Sequence, residues 1–161
     1  MADIRIGNGY DVNKLVEGRI LFLVCVDIPH NLGLLGHSDA DVLCHAIADA
    51  MLGACGLGDI GVHFPDTDEA YRGMSGTTIL KKTLELCKNA GFTISNIDSI
   101  IVAQKPKLAS FIPQMKERIA QVLFLRPDQV NVKATTEEKL GFTGREEGIS
   151  AHAVCIMMRY L

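Results

Sequence analysis

The apolar positions along the chain change period several times, and each change marks an element. Ile4 to Ile6 reads as a short first strand. It runs into Gly7-Asn8-Gly9-Tyr10, where glycines permit backbone angles closed to other residues. Arg19 to Ile28 is a second β-rich stretch, ended by Pro29 and Asn31. From Asp41 the spacing switches. Val42, Leu43, Ala46, Ile47, Ala50, Met51 and Ala54 recur at the period of a helix, which stops near Gly56 and Gly58. A second helix is predicted over Thr77 to Asn89, with Leu80, Leu84 and Cys87 inward and Lys81, Lys82, Glu85 and Lys88 outward; Asn89-Ala90-Gly91 supplies its stop. Ile94 to Ala103 reads as a strand, strongest at Ile100-Ile101-Val102. A third helix starts near Leu108, with Ile112, Met115, Ile119, Val122 and Leu123 as its inner stripe. Val130 to Ala134 alternates as a strand, and Ile149 to Met158 is the closing one. Helices and strands mix without strict β-α-β alternation, which predicts an α+β fold with helices covering one face of a sheet.

Composition narrows the class. At 161 residues a single domain over 1–161 is expected, and 48% hydrophobic residues suffice for a real core. The net charge of −3 points away from nucleic acid and anionic membrane as partners. No apolar run approaches the roughly 20 residues that span a bilayer, and Met1 to Arg5 lacks the core of a signal peptide. The chain reads as soluble and cytoplasmic. Its five cysteines form no Cys-x-x-Cys pair, so neither a disulfide framework nor a thiolate zinc site is expected. Cys44, Cys55, Cys87 and Cys155 lie in apolar stretches and read as small core residues.

Polar residues at several points suggest chemistry, each with a plainer reading beside it. Asp41, His45 and Asp49 stand at i, i+4 and i+8, on one stripe of the first helix, where a solvated face is the ordinary explanation. His37, Ser38 and Asp39 crowd just before that helix; Ser38 or Asp39 would cap it, and its free N–H groups would suit a phosphate. Alternation puts Asp11 and Asn13 on one side of the chain; a D-x-H pair joined to a distant histidine would read as a metal site, whereas D-x-N alone reads as a turn with Asx hydrogen bonds. Gly58 to Gly61 and Phe64 to Asp68 form a loop dense in Gly, Pro and Asp, which serves equally as a turn or as a set of backbone donors and carboxylates. Lys105-Pro106-Lys107 is an anion-holding junction or a solvated corner. Lys133 to Lys139 combines hydroxyls and carboxylates suited to magnesium-diphosphate, or forms a polar turn.

Taken in order, these blocks make a pattern. G-x-G-Y-D-V, P-H-x-x-G-L-L-G-H-S-D-A-D-V, G-L-G-D-I-G-x-H-F-P-D-T-D, A-Q-x-P-K and N-V-K-A-T-T-x-E-K-L-G-F-T-G-R follow one another between Ile4 and Val154. The chain therefore closely resembles the 2-C-methyl-D-erythritol 2,4-cyclodiphosphate synthases of the non-mevalonate isoprenoid pathway. The resemblance implies a homotrimer with mixed sheets facing a central axis and active sites between neighbours. It implies a lyase that converts 4-diphosphocytidyl-2-C-methyl-D-erythritol 2-phosphate to the 2,4-cyclodiphosphate with release of CMP, using zinc and magnesium. It assigns Asp11 and His45 to zinc, and His37 and Thr136 to transition-state stabilisation, with Ser38 beside them on the substrate. Asp11, Asp59, Gly61, Phe64, Asp66 and Asp68 would line the methylerythritol phosphate, with Phe142 and Arg145 as further substrate contacts. Ala103, Lys107, Leu108, Ala109, Ala134, Thr135 and Thr136 would form the nucleotide pocket, and Glu138 would bind magnesium.

The chain departs from the family pattern at the first strand, where G-H-G-[YF]-D-V-H is expected and Gly7-Asn8-Gly9-Tyr10-Asp11-Val12-Asn13 is found. Asn13 thus takes the third zinc-ligand position, and a neutral amide oxygen is a poor zinc ligand. The pattern implies weakened zinc binding, with a metal-impaired trimer that binds cytidine nucleotide or serves as a scaffold as the alternative function. Val24-Cys25 stands where Gly-Gly is usual, and Ser75-Gly76 where Asp-Ser is usual.

Overall fold

The computed structural model describes residues 1–161. The first strand, β1, runs Ala2–Val16 and is far longer than Ile4 to Ile6. It continues straight through the glycine run and through Asp11-Val12-Asn13, so the reading of that segment as a turn is corrected. Gly7 and Gly9 are not there for unusual backbone angles. A Cβ on Gly7 would lie 1.9 Å from the Ala50 carbonyl oxygen, and one on Gly9 1.9 Å from that of Ala46. The glycines let a helix lie directly on the strand.

The Arg19 to Ile28 stretch is not one strand but a hairpin, β2 (Leu21–Leu23) and β3 (Val26–Ile28). β4 (Gly33–Leu34) pairs with the end of β1. α1 spans Val42–Cys55, with twelve of its fourteen residues buried. It lies between the sheet and α3, so it is apolar nearly all round. Neither Ser38 nor Asp39 caps it. Asp41 does, accepting from the Cys44 N–H, and Gly56 closes it in the left-handed conformation.

A short α2 (Ile60–His63) and a 3₁₀ turn (Glu69–Tyr71) lead to α3 (Gly76–Asn89), capped by Ser75. β5 (Thr93–Val102) follows, then α4 (Ile112–Leu123), which starts later than Leu108 because a 3₁₀ turn at Ala109–Phe111 precedes it. β6 (Val130–Thr135), α5 (Gly141–Gly144) and β7 (Gly148–Tyr160) complete the chain.

The main sheet has the order β4-β1-β7-β5-β6, antiparallel except for the parallel β5–β6 pair. It is the mixed α+β arrangement expected. α1 packs on β1 and β7, α4 on β6, and α3 joins the two helices. Along β7, Ile149, Ala151, Ala153, Cys155 and Met157 are buried beneath them, whereas His152 and Val154 face away. That far face carries Ile4, Ile6, Tyr10 and Val12, which are exposed in the isolated chain. The four cysteines read as core residues are all buried. No helix is long and apolar enough to cross a membrane.

Candidate active site

β1 and α1 cross where Asp11 faces His45. The Asp11 carboxylate lies 3.1 Å from His45 Nδ1, and Ser38 Oγ lies 3.2 Å from the other ring nitrogen, Nε2. His45 is buried and Asp41 fully so, which removes the solvated-face reading of the helical stripe. Burial works against a charged His45, but the hydrogen bond to Asp11 and that carboxylate's charge outweigh it and hold the imidazole above its ordinary value. The third member of the stripe, Asp49, turns away to accept from the Ile60 N–H at 2.9 Å and so ties α2 to α1. Burial raises its carboxyl, and the Asp59 and Asp11 charges add to this.

The loop between β4 and α1 is held from two sides. Arg19 reaches the Gly36 and Ser38 carbonyls at 3.5 and 3.4 Å, and Asp39 accepts from the Gly76 N–H at 2.9 Å. His37, between the two carbonyls that Arg19 grips, points its Nε2 to the Asp68 carbonyl oxygen at 3.3 Å. Asp59 caps α2 by accepting from Val62 N–H, and Asp68 caps the following turn through Ala70 N–H. Together these elements enclose a cavity of about 410 Å³. Asp11, Asn13, His37, Ser38, His45, Gly61, Phe64 and Asp66 line it, while Asp59 and Asp68 stay outside it as caps. Tyr71 also lines it, stacked edge-on to Phe64 at 5.6 Å. Arg19 and Tyr71 were not singled out from the sequence, and Asp49 only as part of the helical stripe, with no role assigned to it. An arginine opening an apolar β stretch was a visible signal for the first, and the i, i+4, i+8 stripe for Asp49; Tyr71 gave none distinguishable from an ordinary turn.

The remaining residues gather elsewhere. Ala103 and Leu108 are buried at the end of β5, and the Ala103 N–H donates to the Thr135 carbonyl at 3.0 Å. Lys107, Ala109, Ala134, Thr135, Thr136 and Glu138 are exposed around them. Glu138 and Lys139 take left-handed angles, φ 54° and 65°, and the Lys139 N–H donates to Gln104 Oε1 at 3.0 Å, which docks this loop on the one after β5. The α5 turn is fixed by the Thr143 hydroxyl donating to Glu137. It presents Phe142 beside Gly148, and Arg145 pairs with Glu147 at 3.2 Å.

Strand register measures the separation of the two groups. Asp11 is opposite Ala151, Ala151 opposite Ile101, and Ile101 opposite Ala134. Asp11 and Ala134 are thus three strands apart, about 14 Å at the usual spacing, with fully buried Ala151 and Ile101 between them. Within one chain the cavity lies towards the β4 edge of the sheet and the lysine and threonine loops at the β6 edge, and the two do not face each other.

A family model described as the YgbB family matches residues 4–158. The 2-C-methyl-D-erythritol 2,4-cyclodiphosphate synthase of Geobacter sulfurreducens is 60% identical over 154 residues, covering 96% of this chain and 98% of that protein. Among solved structures, the bifunctional IspDF of Campylobacter jejuni matches with a TM-score of 0.95 and 43% identity over 99% of this chain, which corresponds to 43% of that longer one. A CDP complex of the Plasmodium falciparum IspF matches with a TM-score of 0.85 and 34% identity, covering 98% of this chain and 97% of that one.

Proposed function

The chain belongs to the YgbB family, as a 2-C-methyl-D-erythritol 2,4-cyclodiphosphate synthase, and from that premise we propose how its own residues carry the reaction. An oxygen of the substrate's 2-phosphate attacks the β-phosphorus and forms the ring-closing P–O bond. The bond from that phosphorus to the bridging oxygen breaks, and the oxygen leaves with CMP. Such a transfer calls for positioning and charge neutralisation more than for a covalent nucleophile.

The methylerythritol end of the substrate enters the cavity beside α1, where Gly61, Phe64 and Asp66 meet it, with the Asp59 and Asp68 caps shaping the loop. His37 and Ser38 stand at the reacting phosphates on this side. The cytidine end is bound by Ala103, Lys107, Leu108, Ala109, Ala134 and Thr135, with Thr136, Phe142 and Arg145 reaching the phosphates. The fork of donors on Arg145 suits a phosphate once Glu147 yields it. A 14 Å separation across a packed core means that both halves serve one substrate only if they come from different subunits. Half-sites on opposite edges of a sheet meet naturally when copies pack head to tail in a closed ring. Three copies with the Ile4–Ile6–Tyr10–Val12 face turned inward satisfy this and cover the exposed apolar side chains.

The donor set at the cavity fits a divalent cation: a carboxylate oxygen and an imidazole nitrogen 3.1 Å apart on its wall. Asp11 and His45 would hold it, and Glu138, exposed at the other half-site, would hold magnesium. Bound there, such ions neutralise charge on the diphosphate.

The convergence of Asp11, His37, Ser38 and His45 on one cavity carries this reading. Incubated with the diphosphocytidyl substrate and divalent cations, the protein is expected to release CMP and cyclic diphosphate one for one. His37→Ala should lower kcat roughly 100-fold, the scale of one lost transition-state donor. Absence of CMP from a folded, cation-supplied protein overturns the reading.

A further inference from the structure

Asn13 lies on the cavity wall beside Asp11 and His45, and its amide is already committed. The Nδ2 group donates to the Ala40 carbonyl at 3.2 Å and to Asp11 Oδ2 at 3.4 Å. An amide nitrogen bearing two hydrogens has no lone pair for a metal. Turning the amide over would aim Oδ1 at two other oxygens, the Ala40 carbonyl and the Asp11 carboxylate, and would lose both hydrogen bonds. The main chain cannot retreat to relieve this, because Asn13 is paired with Ile149 inside the sheet.

We infer that Asn13 is no ligand but a positioning residue that orients the Asp11 carboxylate, so that this chain grips its divalent cation through Asp11 and His45 alone. His45 Nδ1 exchanges its hydrogen bond to Asp11 for the cation, an exchange open to a ring nitrogen and closed to the Asn13 amide nitrogen. The rest of the shell is then water and phosphate oxygen. That arrangement suits a six-coordinate transition cation such as manganese, which accepts a carboxylate and an imidazole and completes its shell with water and phosphate oxygen, and not a tetrahedral zinc site built on three protein ligands. The inference rests on reading the cavity as the cation and diphosphate site.

Cobalt(II) is the probe, because its visible absorption is weak when six-coordinate and intense when tetrahedral, and it needs no turnover. Added to the wild-type protein, cobalt should give the weak spectrum. Asn13→His should convert it to the intense one and tighten zinc binding by roughly 100-fold, with manganese binding little changed. Asn13→Ala should keep the weak spectrum while loosening cobalt by about tenfold or more, the scale of a lost orienting partner. An intense spectrum from the wild type, or a change of spectral type in Asn13→Ala, overturns the inference. CDP titration of the same samples reads the cytidine half of the site independently. A protein that binds no CDP yet shows the predicted cobalt series sinks the functional reading and leaves this one supported.

Discussion

Asp41 caps α1 from a position with no solvent exposure, accepting from the Cys44 and Cys25 backbone N–H groups at 3.1 and 3.2 Å. Burial, with the Asp39 charge adding to it, pushes the carboxyl from its ordinary 3.8 up to about 6. Between those values the folded protein holds a proton that the unfolded chain has released. Stability therefore falls as pH rises through this window and levels off above it. At about 1.4 kcal/mol per unit the loss amounts to roughly 3 kcal/mol. Asp41→Asn keeps an acceptor for Cys44 and cannot titrate. The difference in urea-unfolding free energy between wild type and variant should move by roughly 2–3 kcal/mol in the variant's favour from pH 4 to pH 7; a flat difference would mean that the carboxyl titrates normally. At this scale the sequence was partly legible. His37, Ser38, His45 and the Asp59–Asp68 loop stood out because each sits in a fixed block of residue types. The choice of cap did not, because Ser38, Asp39 and Asp41 are equally good capping residues on paper and only the packing of Cys25 and Cys44 selects one. The commitment of the Asn13 amide was equally invisible, since its partner Ala40 lies 27 residues away.

The β2–β3 hairpin turns on two residues, Val24 and Cys25, both at φ 55°. This is the geometry of the mirror-image turns that match strand twist, normally supplied by glycine or asparagine. Each side chain costs about 1–2 kcal/mol in that conformation. For half-buried Cys25, replacement by glycine removes the strain and gives back about 0.4–1 kcal/mol in unfolded-chain entropy, so Cys25→Gly should stabilise by about 0.5–1 kcal/mol. Val24 is fully buried. Val24→Gly forfeits about 1.5–3 kcal/mol of burial and should be destabilising despite the same relief. Unfolding midpoints of the two variants moving in the same direction would refute the account. The helices were well read from the chain because their apolar stripes recur at helical period and, for the first two, end at clear stop signals. β1 was not, since Gly7, Gly9 and the Asp-x-Asn pair imitate a turn. Their real cause is the approach of α1 at Ala46 and Ala50, a contact between elements that no local period encodes. The hairpin turn was masked for the converse reason: Val24 and Cys25 carry strand-like side chains where the backbone is left-handed, and only the Gly-Gly usual at that point of the family pattern hinted at it.

For the whole molecule, two observations ask for the same partner. The two groups of proposed site residues lie towards opposite edges of one sheet, and the sheet's outer face leaves Ile6 71% and Ile4 62% exposed. Exposed apolar side chains scattered singly need no explanation, but Ile4, Ile6, Tyr10 and Val12 share the face opposite the helices, as the inward face of the proposed ring requires. Burying an isoleucine contributes about 1.5–3 kcal/mol, and in the proposed ring copies of the same position near the axis would act together. Lysine at that point reverses the balance, since an unpaired buried charge costs several kcal/mol and like charges from each subunit would meet. Ile6→Lys should therefore elute as a smaller species in size-exclusion chromatography with light scattering. Its far-UV circular dichroism should be retained, because Ile6 points away from the core. CMP release should fall by at least about 100-fold, since neither half-site alone can align both ends of the substrate. The metal half should survive: cobalt should still bind between Asp11 and His45, which belong to one chain. An Ile6→Lys protein that stays assembled and active would place the interface elsewhere. One that dissociates yet still turns over would show that a single subunit holds the complete site, against the strand register.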